Sequence, residues 1–80
     1  MDERLNAEAL EALEFARVFA GLGEAQVARE EAGYSRSEFI AFADNAFALP
    51  TLISWERGRR RPHGARGAAY GRALRRLVGL

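Results

Sequence analysis

Apolar residues recur at three- and four-residue spacing along most of the chain, which is the period of an amphipathic helix. The strict alternation of apolar and polar residues that marks a half-buried strand is missing. This pattern predicts an all-α protein. We expect a compact bundle of about five helices in a single domain that covers residues 1–80.

The first predicted helix spans residues 6–20 and carries two apolar stripes. Asn6 can cap its amino end, where Glu8 also lies near the positive end of the helix dipole. One stripe holds Leu10, Leu13 and Ala16 or Ala20, and the other holds Ala12, Phe15, Phe19 and Leu22. A small core needs only one stripe. The helix is therefore either wedged between two neighbours or in contact with a second copy of the chain.

A second helix is predicted over residues 24–32, after the break at Gly21 and Gly23. Val27 and Ala28 are expected to point inward. Gly33 is expected to end the helix, because glycine adopts the left-handed conformation that closes a helix without steric cost.

A third helix is predicted to begin at Ser35, because Ser35 and Glu38 fit the S-x-x-E capping box. Its apolar residues run from Phe39 onward. Asp44 and Asn45 are poor helix formers and mark a turn at its end.

Two more helices are predicted in the carboxyl-terminal half. Residues 49–57 form a short one, with Pro50 in its first turn and Gly58 as its left-handed end. Residues 58–67 form a basic loop, and residues 68–78 form the last helix. The apolar face of that last helix holds Tyr70, Leu74, Leu77 and Val78.

Charge is divided unevenly along the chain. Residues 1–56 hold all eleven acidic residues and four arginines, a local charge of −7, whereas residues 57–80 hold eight arginines and no acid, a local charge of +8. Such a division fits either a bipolar molecule that associates head to tail or a basic surface for nucleic acid.

The residue types argue against an enzyme. The chain has no cysteine and a single histidine, His63, so a metal site lacks ligands and disulfides are excluded. Ser35, Ser37 and Ser54 have no histidine or lysine positioned to activate them. No apolar run approaches the roughly 20 residues of a membrane span, and the first residues do not form a signal peptide. We expect a cytoplasmic protein without cofactor.

The segment around residues 49–62 resembles the third helix of helix-turn-helix domains of the Xre/Cro phage-repressor type. In that family a Thr-aliphatic pair opens the recognition helix, Trp-Glu-x-Gly ends it, and a proline follows. The matching residues are Thr51, Leu52, Trp55, Glu56, Gly58 and Pro62. The resemblance extends back through residues 28–39 and covers roughly residues 24–78. This chain has about two extra residues between Ser35 and Trp55, which we place in the 42–47 region.

This resemblance implies a lambda repressor-like fold with a helix-turn-helix core over residues 24–57, and a small transcriptional regulator that binds double-stranded DNA, as a homodimer. The implied base-contact residues are Leu49, Thr51, Ile53 and Ser54. The implied phosphate-contact residues are Arg36, Arg57, Arg59, Arg60, Arg61 and Arg66. The expected core residues are Phe39, Phe47, Leu52 and Trp55. Leu52 and Trp55 are three residues apart, so their spacing also predicts that both face the core.

A second interpretation also fits the sequence. Of the four base-contact positions only Thr51 and Ser54 carry hydrogen-bonding groups, and exposed apolar residues more often mark contact with protein. The chain would then be a protein-binding module of antiactivator or antitoxin type that derives from a helix-turn-helix. A third interpretation is an RNA-binding or scaffold protein.

Overall fold

The computed structural model describes residues 5–80, which form five α-helices and no strand. The helices are α1 (Ala7–Gly21), α2 (Glu24–Glu31), α3 (Arg36–Phe42), α4 (Leu49–Glu56) and α5 (Gly64–Leu77). The predicted all-α class is therefore confirmed. No helix within this part of the chain is long and apolar enough to cross a membrane.

The amino ends of α1 and α3 are closed by the predicted capping residues. The Asn6 side chain accepts a hydrogen bond from the Ala9 amide at 2.8 Å. The Ser35 hydroxyl accepts one from the Glu38 amide at 3.1 Å, and the Glu38 carboxylate accepts one from the Ser35 amide at 2.8 Å. These bonds satisfy amides that a helix leaves without partners at its first turn, so the sequence itself sets where both helices begin.

The last helix begins earlier than predicted. It starts at Gly64 rather than residue 68, so Arg66 lies on α5 and not in a loop. The start of this helix was predicted too late because glycines generally indicate a loop in a sequence. Here Gly67 and Gly71 are buried where α5 packs against α1. A Cβ atom on Gly71 would lie 2.5 Å from the Ala12 carbonyl carbon and closer still to its oxygen. These glycines allow close helix packing instead of breaking the helix.

The core is aromatic and is centred on Trp55 and Tyr70. Their rings stack with centroids 4.6 Å apart, and Phe47 lies within 5.6 Å of both. Residues predicted for the core all lie in it: Phe39, Phe47, Leu52 and Trp55. The Cα radius of gyration of 11.5 Å matches the roughly 11.6 Å expected for a compact domain of this length.

Helix α1 buries alanines more than leucines. Ala12 and Ala16 are fully buried, and α1 packs against α5 and α2. Leu10 and Leu22, which the periodicity places on the apolar stripes, remain 53% and 70% exposed. Because close approach to Gly71 requires a small residue at the contact, the alanine-rich face of α1 turns inward together with Leu13, whereas Leu10 and Leu22 turn outward.

The buried face of helix α2 also differs from the predicted one. Val27 remains 44% exposed, whereas Ala25 and Arg29 are buried. A buried arginine is unusual and requires a buried partner. The partner of Arg29 lies at the end of α4 and is described below.

The hydroxyl group of Tyr70 is buried and has no hydrogen-bond partner among residues 5–80. Burial raises the pKa of Tyr70 well above its usual range, so the group stays neutral. An unpaired buried hydroxyl costs about 1–3 kcal/mol.

We therefore expect Tyr70→Phe to stabilise the protein by about 1 kcal/mol, measured by urea denaturation. Tyr34→Phe is the matched control because Tyr34 is only half-buried, and its effect should be close to zero. A clear loss of stability in Tyr70→Phe would contradict this prediction.

Candidate nucleic-acid interface

The basic segment, Arg57–Arg61, is joined to α4 by a tight turn. Gly58 adopts the predicted left-handed conformation with φ of +71°. The Ser54 carbonyl oxygen then accepts hydrogen bonds from the amides of Arg59 at 2.9 Å and Arg60 at 3.4 Å. These bonds satisfy a carbonyl that the helix end would otherwise leave unpaired. The backbone that carries the arginines is thus fixed to the end of α4.

The other end of the basic segment is fixed to the body of the protein. Pro62 is fully buried, and its carbonyl oxygen accepts a hydrogen bond of 2.8 Å from Nε of Arg17 on α1. Both ends of the segment are therefore attached to helices, which lowers the entropy cost of binding a ligand there.

The guanidinium groups on this side of the molecule form no ion pair with the acidic residues of the described chain. Arg57, Arg59, Arg60, Arg61 and Arg66 are exposed. Within residues 5–80, every ion pair of the described chain involves other arginines, namely Arg29, Arg36 and Arg72. Five cations are thus available to an anionic ligand around the end of α4 and the start of α5.

Thr51 lies beside these cations. A hollow of about 480 Å³ is lined by Thr51 and Trp55 of α4, Arg66 of α5, and Arg60 and His63 between them. The structure thus brings together one predicted base-contact residue and two predicted phosphate-contact residues.

The other predicted base-contact residues do not share that hollow. Leu49 is 41% exposed and lines a separate groove of about 520 Å³ together with Ile53, Arg36 and Glu30. Ser54 is half-buried and lines neither of them. The outer side of α4 is therefore polar and basic toward Thr51, and apolar with mixed charge toward Leu49.

Arg36 differs from the other predicted phosphate-contact residues. Its Nε atom donates a hydrogen bond of 2.9 Å to Glu56, and its side chain is only 28% exposed. One donor of Arg36 is therefore occupied inside the protein, and only its remaining donors can face the groove beside Leu49.

Glu56 is the centre of a buried ionic network. Its side chain is 1% exposed, and Arg29 on α2 donates to both of its oxygens, at 2.6 Å and 3.2 Å. Arg29 also donates to the Tyr34 carbonyl oxygen at 2.7 Å. The carboxylate of Glu56 therefore lies inside the protein and ties the end of α4 to α2 and α3.

The network further stabilises the charged form of Arg29. The hydrogen bonds from Arg29 to Glu56 raise the pKa of the guanidinium, whereas burial acts in the opposite direction. An ion pair whose two members are both hydrogen-bonded avoids the large cost of an isolated buried charge. The network therefore holds α4 in one orientation relative to α2 and α3.

No cluster of three or more histidine and acidic side chains in the described part of the chain is arranged to hold a metal ion. Comparison with protein-family models, with curated proteins and with solved structures finds no match to this chain. The site must therefore be interpreted from its own geometry.

Proposed function

We propose that this protein is a small DNA-binding transcriptional regulator that places α4 in the major groove and holds phosphates with the basic segment and Arg66. The observation that carries this proposal is the shared hollow of Thr51, Arg60 and Arg66. A groove-reading helix needs polar side chains on its outer side and cations beside it, because phosphate contacts position a protein and base contacts specify the sequence.

The anchored ends of the basic segment support the same proposal. Side chains on a fixed backbone lose less freedom on binding than those on a mobile loop. The Glu56 network also holds α4 from behind, so the helix can enter a groove as a rigid element. The resemblance of residues 28–39 and 51–62 to Xre/Cro-type helix-turn-helix domains points to the same class.

In this proposal the active form is a cytoplasmic homodimer. Two copies of α4 about 34–36 Å apart would contact successive major grooves on one side of the duplex and read an inverted repeat. The exposed leucines Leu10 on α1 and Leu22 directly after it leave apolar surface for such contact.

The proposal predicts duplex binding that weakens steeply with salt. If each domain neutralises about six phosphates, log K plotted against log salt should fall with a slope near −5 for each bound domain, and so near −10 for a bound dimer. The measurement is fluorescence anisotropy of a labelled duplex of about three helical turns, about 30 bp, taken from the region upstream of the coding sequence. Absence of binding at about 50 mM salt would contradict the proposal.

A second candidate function rests on the groove lined by Leu49 and Ile53. An exposed leucine on a short helix favours contact with protein, and Glu30 in the same groove would repel phosphate. A protein-binding module of antiactivator or antitoxin type would form a stable complex with a partner protein and would leave the duplex unbound at low salt.

A further inference from the structure

We propose that Arg17 of α1 and the basic segment form a cleft that binds a phosphate group, with the guanidinium of Arg17 as a direct contact. Where the phosphate belongs to duplex DNA, this inference rests on the function proposed above. A free phosphorylated molecule would present the same chemistry to the same groups.

The cleft has a volume of about 430 Å³, which falls within the range of about 300–1,000 Å³ typical of ligand sites. Its lining includes the guanidinium-bearing residues Arg17, Arg59, Arg60 and Arg61, together with Trp55 and Pro62. No acidic residue is among the residues that line it. A hollow lined by four arginines and no acidic residue favours an anionic ligand such as a phosphate group.

Arg17 is held in place for this role. It is half-buried. Its Nε atom donates a hydrogen bond of 2.8 Å to the Pro62 carbonyl oxygen, and this bond fixes the orientation of the guanidinium plane. Among residues 5–80 neither of its terminal nitrogens makes a hydrogen bond. Arginine presents its N–H groups as a rigid fork that matches two phosphate oxygens, so fixing one nitrogen orients the remaining donors.

The cleft continues the proposed DNA-binding surface. Arg60 and Trp55 line both this cleft and the hollow that contains Thr51. Arg17 and Thr51 therefore line two cavities that share Arg60 and Trp55. A backbone that passes Thr51 would meet Arg60 and then Arg17, which extends the surface from α4 to α1.

The test compares three proteins in the salt titration of duplex binding: wild type, Arg17→Gln and Arg17→Lys. We expect Arg17→Gln to weaken binding several-fold at low salt and to make the log–log slope shallower by about one for each bound domain. Arg72→Gln on α5 removes the same charge away from the cleft and should leave the slope near that of wild type. Circular dichroism verifies that each variant is folded.

Arg17→Lys separates direct contact from a structural role. Lysine keeps the charge but loses the Nε donor to Pro62. If Arg17 contacts phosphate, Arg17→Lys should retain most of the slope. If Arg17 only holds the turn, both variants should behave alike, and the inference would be overturned.

A second arm uses millimolar inorganic pyrophosphate, monitored by nitrogen-15 NMR of the Arg17 Nε signal and the Arg60 amide. A shift of the Arg60 amide in wild type that disappears in Arg17→Gln, together with a shift of the Arg17 Nε signal in wild type, would support the cleft even if the wild type fails to bind duplex. In that case the ligand is a free phosphorylated molecule and the proposed function is wrong. Unchanged signals together with an unchanged duplex slope in Arg17→Gln would overturn the inference.

Discussion

Replacing Gly71 with alanine is expected to destabilise the protein by about 3 kcal/mol or more, the upper end of the usual cost of overpacking a core. In an open helix the same substitution stabilises, since alanine has the better helix propensity by about 1 kcal/mol. Here the added methyl group would meet the backbone of Ala12. Backbone atoms cannot move aside by changing rotamer, so α1 and α5 must separate.

Two other glycines provide controls for Gly71→Ala. Gly21 ends α1, and nothing lies within 4 Å of the position that an added methyl group would take, so Gly21→Ala should be neutral or stabilising by up to about 1 kcal/mol. A methyl group added at Gly67 would meet the flexible Leu13 side chain at 2.6 Å and the Pro62 carbonyl carbon at 3.1 Å. The stability of Gly67→Ala should therefore lie between those of Gly71→Ala and Gly21→Ala. Thermal and urea denaturation measure the stability of all three variants. Equal stability of the three variants would contradict the close packing of α1 on α5.

Replacing Glu56 with glutamine is expected to lower the free energy of unfolding by about 3–5 kcal/mol, because it leaves Arg29 as a buried cation without its anion. The side chains of Arg29 and Glu56 are 7% and 1% exposed. A domain of this size loses about 4–8 °C in Tm for each kcal/mol, so Tm should fall by at least about 12 °C. Differential scanning calorimetry is the measurement.

Glu8→Gln is the matched control for Glu56→Gln. It also removes a carboxylate from an arginine, since Glu8 receives hydrogen bonds from Arg72 at 2.8–3.1 Å. The Arg72 bonds lower the pKa of Glu8, yet the Glu8 side chain is 58% exposed. Solvent screens such pairs, so the loss of stability should be far smaller for Glu8→Gln than for Glu56→Gln. A comparable loss in both variants would show that burial is not the source of the effect.

Local chemistry in the sequence predicts most of the helix ends. Asn6, the Ser35–Glu38 capping box, Pro50 and Gly58 each act through atoms a few residues away, and each occupies its predicted place. The spacing between Leu52 and Trp55 predicts that both face the core, and both are buried. Interactions confined to one turn of helix can be predicted from the sequence because they require no knowledge of the fold.

Contacts between distant segments could not be predicted in this way. The start of α5 depends on Gly67 and Gly71 meeting α1, and the burial of Arg29 depends on Glu56, 27 residues away. The sequence gives no indication of a role for Arg17, because its hydrogen bond to Pro62 joins residues 45 positions apart. Each of these residues has an ordinary local pattern, and its role appears only when the helices pack.

The decisive measurement is the salt dependence of duplex affinity for wild type and for the variant with both Arg59→Gln and Arg60→Gln. The charge-matched control carries both Arg72→Gln and Arg76→Gln. Wild type and control should show slopes near −5 for each bound domain, and the Arg59 and Arg60 variant a slope shallower by about two for each bound domain. Equal slopes in all three proteins, or no duplex binding by wild type at low salt, would contradict a DNA-binding surface formed by α4 and the basic segment.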